Sequence, residues 1–78
     1  MSKNGVKQTH RQKLGEAIRQ RRKGLILSQE RLAELVGCHR NYVGNVERGE
    51  QNITVDMLVR FANALKVKVA FLMAGLAD

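Results

Sequence analysis

Apolar residues recur along most of this chain at the three- and four-residue intervals of a helix, interrupted by glycines and short polar runs. Leu14, Ala17, Ile18 and Leu25 form one stripe with Arg19, Gln20 and Lys23 opposite, which predicts an amphipathic helix over residues 10–23. Thr9 and Gln12 have the spacing of a capping box at its start, and Gly24 is the expected terminator. A second helix is predicted from Ser28 as N-cap, carrying Leu32, Ala33, Leu35 and Val36 as far as Gly37. A third runs from about His39 to Arg48 and stops at Gly49. The polar run "EQNIT" is then a loop pinned to the core by Ile53. Thr54 caps a fourth helix over residues 55–65, with Leu58, Phe61, Ala62 and Leu65 inward. A short fifth helix, about 69–76, closes the chain with Phe71 and Leu72 pointing inward. No strand pattern occurs, so the expected fold class is all-α: a compact five-helix domain over residues 9–78, preceded by a flexible basic arm, residues 1–8.

The third helix has one face for the core and one for something else. Val43 and Val46 are its only sizeable aliphatic residues and must face inward. Arg40, Asn41, Gly44, Asn45 and Arg48 fall at i, i+1, i+4, i+5 and i+8, a continuous stripe with nothing apolar larger than glycine. The second helix is complementary: Ala33 is small where the two would cross, and Gly37 sits at the corner, where a positive φ costs glycine little. Counted from Gln29, Leu32, Ala33, Val36, Gly37, Cys38, Val43 and Val46 occupy the apolar, small and turn positions of a helix-turn-helix, a unit whose second helix lies in the DNA major groove.

On these residues the chain resembles the Cro/repressor-type (Xre) helix-turn-helix family, which includes phage repressors and restriction–modification controller proteins. "GEAIRQRR", "SQERLAELVG", "VERGEQNIT" and "LVRFANALKV" follow the family's order and spacing from Leu14 onward. The resemblance implies a lambda-repressor-like domain that binds pseudo-palindromic operators on double-stranded DNA as a homodimer. It implies base contacts from Arg40, Asn41 and Asn45, with Gly44 allowing close approach to the groove where the family usually carries a polar side chain. The chemistry suits that role, since Arg pairs with guanine O6 and N7 and Asn with adenine N6 and N7. Phosphate contacts are expected from Gln29 and Ser28 at the second helix N-terminus and from Asn52 and Thr54 at the fourth. His39 and Tyr42 beside the stripe, Arg48 at its far end, and Lys3 and Lys7 on the arm are further phosphate candidates. The resemblance also pairs Arg22, on the core-facing row of the first helix, with Glu47 as a structural ion pair.

Charge supports a polyanionic partner. The 78 residues carry a net charge of +7, and residues 1–23 hold eight basic side chains against the single acid Glu16, while residues 24–78 hold six of each. So small a chain has a thin core and little room for a supported substrate pocket. No nucleophile–base pair, metal-ligand spacing or cofactor motif stands out, which argues against an enzyme. The lone Cys38 is expected to be a packing residue of a reducing cytoplasm. No signal peptide is visible, and Val69–Ala77, the longest apolar stretch, is far short of the ~20 residues of a membrane span. That stretch predicts a dimer surface of Val69, Met73 and Leu76. The pattern fits a repressor or an autoregulator. The alternative from another class is a protein-interaction module, such as an antitoxin neutralising a partner protein, and the basic arm and polar stripe argue against it.

Overall fold

A computed structural model describes residues 8–76, and Lys3 and Lys7 of the arm lie outside the described residues. Five helices follow one another: α1 (His10–Gly24), α2 (Gln29–Val36), α3 (Arg40–Glu47), α4 (Val55–Ala64) and α5 (Val69–Met73), the last continuing into a single 3₁₀ turn, Ala74–Leu76. The described residues contain no strand. Thr9 opens α1 with the expected capping box: its hydroxyl accepts from the Gln12 N–H at 3.1 Å, and the Gln12 side chain accepts from the Thr9 N–H at 2.9 Å. Ser28 and Thr54 cap α2 and α4 in the same way, accepting from the N–H groups of Arg31 and Met57.

One core joins all five helices. Ile18 of α1, Leu32 of α2, Val43 of α3, Phe61 of α4 and Leu72 of α5 are fully buried in it. Helix α3 packs on both α1 and α2, and α5 returns to α1. The approach of α1 to the end of α3 depends on Gly15: a Cβ there would lie 2.6 Å from the Glu47 carbonyl oxygen, and closer still to that of Val46.

The structure corrects the helix ends and the last helix. Gly24 belongs to α1, and the left-handed residue that ends the helix is Ile26, at φ 59° and 89% exposed. Around it the N–H groups of Ile26 and Leu27 bond to the carbonyls of Lys23 and Arg22, a Schellman closure with isoleucine where glycine is usual. Lys66 takes the same position after α4. Leu35 is 45% exposed because Leu32, Ala33 and Val36 set the buried face of α2 and leave it on the flank. In α5 the 100° step between neighbours separates Phe71, 59% exposed, from the buried Leu72. Val69 and Leu76, expected on a dimer surface, share the Leu72 face and pack against the core, so that of the three only Met73 is exposed.

Candidate nucleic-acid interface

The helix-turn-helix is assembled by local chemistry. Gly37 closes α2 at φ 87°, and its N–H and that of Cys38 both bond to the Ala33 carbonyl, at 2.8 and 3.0 Å. A side chain in that conformation would be strained, whereas glycine adopts it freely. Two residues later His39 caps α3, with Nδ1 accepting from the Asn41 N–H at 3.1 Å. That bond requires Nδ1 as the acceptor and places the ring proton of the neutral imidazole on Nε2. The first turn of α3 therefore leaves the corner with Arg40 and Asn41 exposed.

Further along α3 the stripe is less open than the sequence implies. Asn45 is half-buried, and Gly44 is buried beneath the side chain of Arg48, whose Nη1 lies 3.2 Å from where a Cβ at Gly44 would be. Arg48 donates through Nη2 to Asn45 Oδ1 at 2.6 Å and through Nε to Glu50 at 3.2 Å. Sequence reasoning placed Arg48 at the rim of the stripe and missed this fold-back. The glycine inside a helix, at a cost of about 1 kcal/mol relative to alanine, was its only signal.

On the buried side of α3 lies the ion pair that the resemblance implied. Arg22 Nε and Nη2 donate to the two Glu47 carboxylate oxygens at 2.6 and 3.1 Å, with side chains 10% and 2% exposed. Arg22 Nη1 reaches the Leu27 carbonyl at 2.8 Å, and Gln29 Nε2 donates to Glu47 Oε1 at 3.0 Å. These bonds join α1, the following loop, the start of α2 and the end of α3. Gln29 is thus anchored at the N-terminus of α2, and its second amide hydrogen is left for another acceptor. Neighbouring Arg21, which the sequence did not single out, donates to the Leu65 carbonyl at 3.0 Å and ties α1 to the end of α4. Part of the N-terminal charge excess is therefore spent inside the fold.

The remaining candidates surround α3. Ser28, Asn52 and Thr54 are exposed around the starts of α2 and α4. Tyr42 is half-buried with its ring stacked on Phe61, centroids 6.3 Å apart, and burial pushes its phenol pKa up, which keeps it a neutral donor. Burial also raises the Cys38 thiol, with nearby Arg60 opposing the shift. A thiol held protonated is a poor nucleophile, in keeping with a packing role. No helix among the described residues is long and apolar enough to cross a membrane.

Known proteins are similar to this chain in sequence and fold. Residues 18–72 match the family model described as Helix-turn-helix. The control protein C.SmaI of Serratia marcescens is 48% identical over 56 residues, covering 72% of this chain and 67% of that protein. The restriction-modification controller protein C.AhdI of Aeromonas hydrophila superposes with a TM-score of 0.77 at 41% identity, over 78% of this chain and 92% of that one. The P22 c2 repressor, solved in complex with a synthetic operator, superposes with a TM-score of 0.75 at 32% identity, over 80% and 94% of the two chains. A buried Arg22–Glu47 pair beneath a capped helix with a polar outer stripe, set in these matches, leads to one conclusion: the chain belongs to the helix-turn-helix family of DNA-binding transcriptional regulators.

Proposed function

We propose that this regulator binds a two-fold operator as a homodimer, with α3 in the major groove and Arg40, Asn41 and Asn45 at base edges. One observation carries the reading. Arg40 and Asn41 stand exposed on the first turn of a helix whose Val43 and Val46 are buried, so the fold itself has no use for those two side chains. Arginine and asparagine are the residue types that bond two atoms of one purine edge in that groove. Ser28, Gln29, Asn52 and Thr54 at two helix starts, with His39 at the N-cap of α3 and Tyr42 in its first turn, would hold the flanking phosphates. Lys3 and Lys7 would add salt-sensitive attraction without sequence information. The P22 c2 repressor, a relative in fold and sequence, has been solved on an operator.

Arg40→Ala should weaken operator binding by ~1–3 kcal/mol and relax preference at one base pair, because an exposed side chain is lost and nothing in the core changes. Fluorescence anisotropy against the operator and its single-base variants measures both. An equal loss on every sequence would make Arg40 a phosphate contact instead.

For dimerisation the relevant surface is the outward side of α5, where Phe71 and Met73 are exposed. Phe71→Asp should give a monomer by sedimentation with an unchanged circular dichroism spectrum. A Phe71→Asp protein that still sedimented as a dimer would place the interface elsewhere.

A further inference from the structure

Arg48 is the C-cap residue of α3, yet its guanidinium folds back along the helix. Three contacts define that pose: Nη2 to Asn45 Oδ1 at 2.6 Å, Nε to Glu50 at 3.2 Å, and Nη1 over Gly44, 3.2 Å from where a Cβ would stand. Any side chain at residue 44 would push into that berth, which gives the helix-interior glycine a packing reason. Guanidinium has donors only, so Asn45 can turn only its oxygen toward it. The amide orientation is thereby fixed, with Oδ1 toward Arg48 and Nδ2 away.

Resting on the reading of α3 as the recognition helix, we propose that Arg48 and Glu50 determine the base preference of Asn45, turning it from an adenine reader into a guanine reader. An unconstrained asparagine reads adenine by accepting from N6 through its oxygen while donating to N7 through its nitrogen. Here a cation 2.6 Å from that oxygen already takes one of its two lone pairs, so an adenine amino group would have to share the oxygen beside a positive charge, which favours an acceptor edge instead. The edge presented to a base consists of the Asn45 amide hydrogens and the adjoining guanidinium hydrogens. Guanine offers two acceptors there, O6 and N7, and adenine offers one. Glu50 holds the guanidinium from its other side, so its loss frees Arg48 to leave.

The test is selection from a randomised duplex pool with the wild type, Asn45→Ala, Arg48→Met and Glu50→Gln. Arg48 and Glu50 are exposed, and their variants keep the core. The base pair at which Asn45→Ala loses its preference marks the position that Asn45 reads. The wild type should favour guanine over adenine there by about tenfold. Arg48→Met should reverse the order, and Glu50→Gln should move it the same way by less. Adenine favoured by the wild type, or a guanine preference kept by Arg48→Met, would overturn the proposal while leaving the operator-binding reading intact. No position lost in Asn45→Ala would overturn it and also remove Asn45 from the base contacts, with the two-fold operator still standing. A wild type that enriches no motif removes that reading and this proposal with it.

Discussion

Replacing Gly15 by alanine is expected to destabilise the domain by about 3 kcal/mol, near the upper end of the range for overpacking a core. The new methyl would lie 2.6 Å from the Glu47 carbonyl oxygen and 2.8 Å from its carbon, with the Val46 oxygen nearer still. All three are backbone atoms, so no rotamer change relieves the clash and α1 must move off α3. Alanine regains up to about 1 kcal/mol of helix propensity, too little to offset that shift. For a domain of this size the loss lowers the melting midpoint by more than about 10 °C. Gly24→Ala is the matched control: a Cβ there meets nothing within 4 Å, and the variant should melt at or above the wild-type temperature. Thermal unfolding by circular dichroism separates the two. A Gly15→Ala protein melting with the wild type would mean that α1 and α3 are not in this contact.

Glu47→Gln is expected to cost about 3–5 kcal/mol, the range for removing one partner of a buried ion pair. Glutamine keeps the volume but leaves the Arg22 guanidinium, 10% exposed, without its counter-charge. Marginal domains of this size hold only about 4–12 kcal/mol in all, so the variant should lose much of its stability. The double substitution Arg22→Met, Glu47→Leu should recover part of the loss, because an apolar pair carries no desolvation penalty while the Leu27 carbonyl and the Gln29 amide lose their partners. Chemical denaturation of the wild type and the two variants gives the comparison. At temperatures where Glu47→Gln remains folded its preferred DNA sequence should match the wild type, since Glu47 lies on the buried face of α3. A changed preference at preserved stability would assign Glu47 a part in reading and contradict its structural role.

Local chemistry was the legible part of this fold. Thr9, Ser28 and Thr54 cap the helices that they were expected to cap, and Gly37 turns the corner, because each effect is contained within a few residues. Helix periodicity located the buried faces of α1, α3 and α4, where every stripe has several members. It misassigned Phe71, Val69 and Leu76, because the phase of a five-residue helix depends on where it begins. Lys68 starts α5 without any side-chain cap to announce it. Ile26 and Lys66 were equally hidden: each stands where a helix closure favours glycine, and the turn is held by its backbone bonds and by the flanking Leu25, Leu27 and Val67 packed on the core. On α3, the exposure of Arg40 and Asn41 was readable from spacing alone. The fold-back of Arg48 was not, since it depends on the rotamer of one exposed side chain and on the absence of another at Gly44.

A dimer that presents two copies of α3 to a two-fold DNA site would show itself in selection of the wild-type protein against a randomised duplex pool at low and at near-physiological salt. One two-fold motif should be enriched, with half-sites one helical turn apart, about 34 Å, and bound far more weakly as salt rises. Recovery of a pool with no enriched motif at either salt would contradict that arrangement.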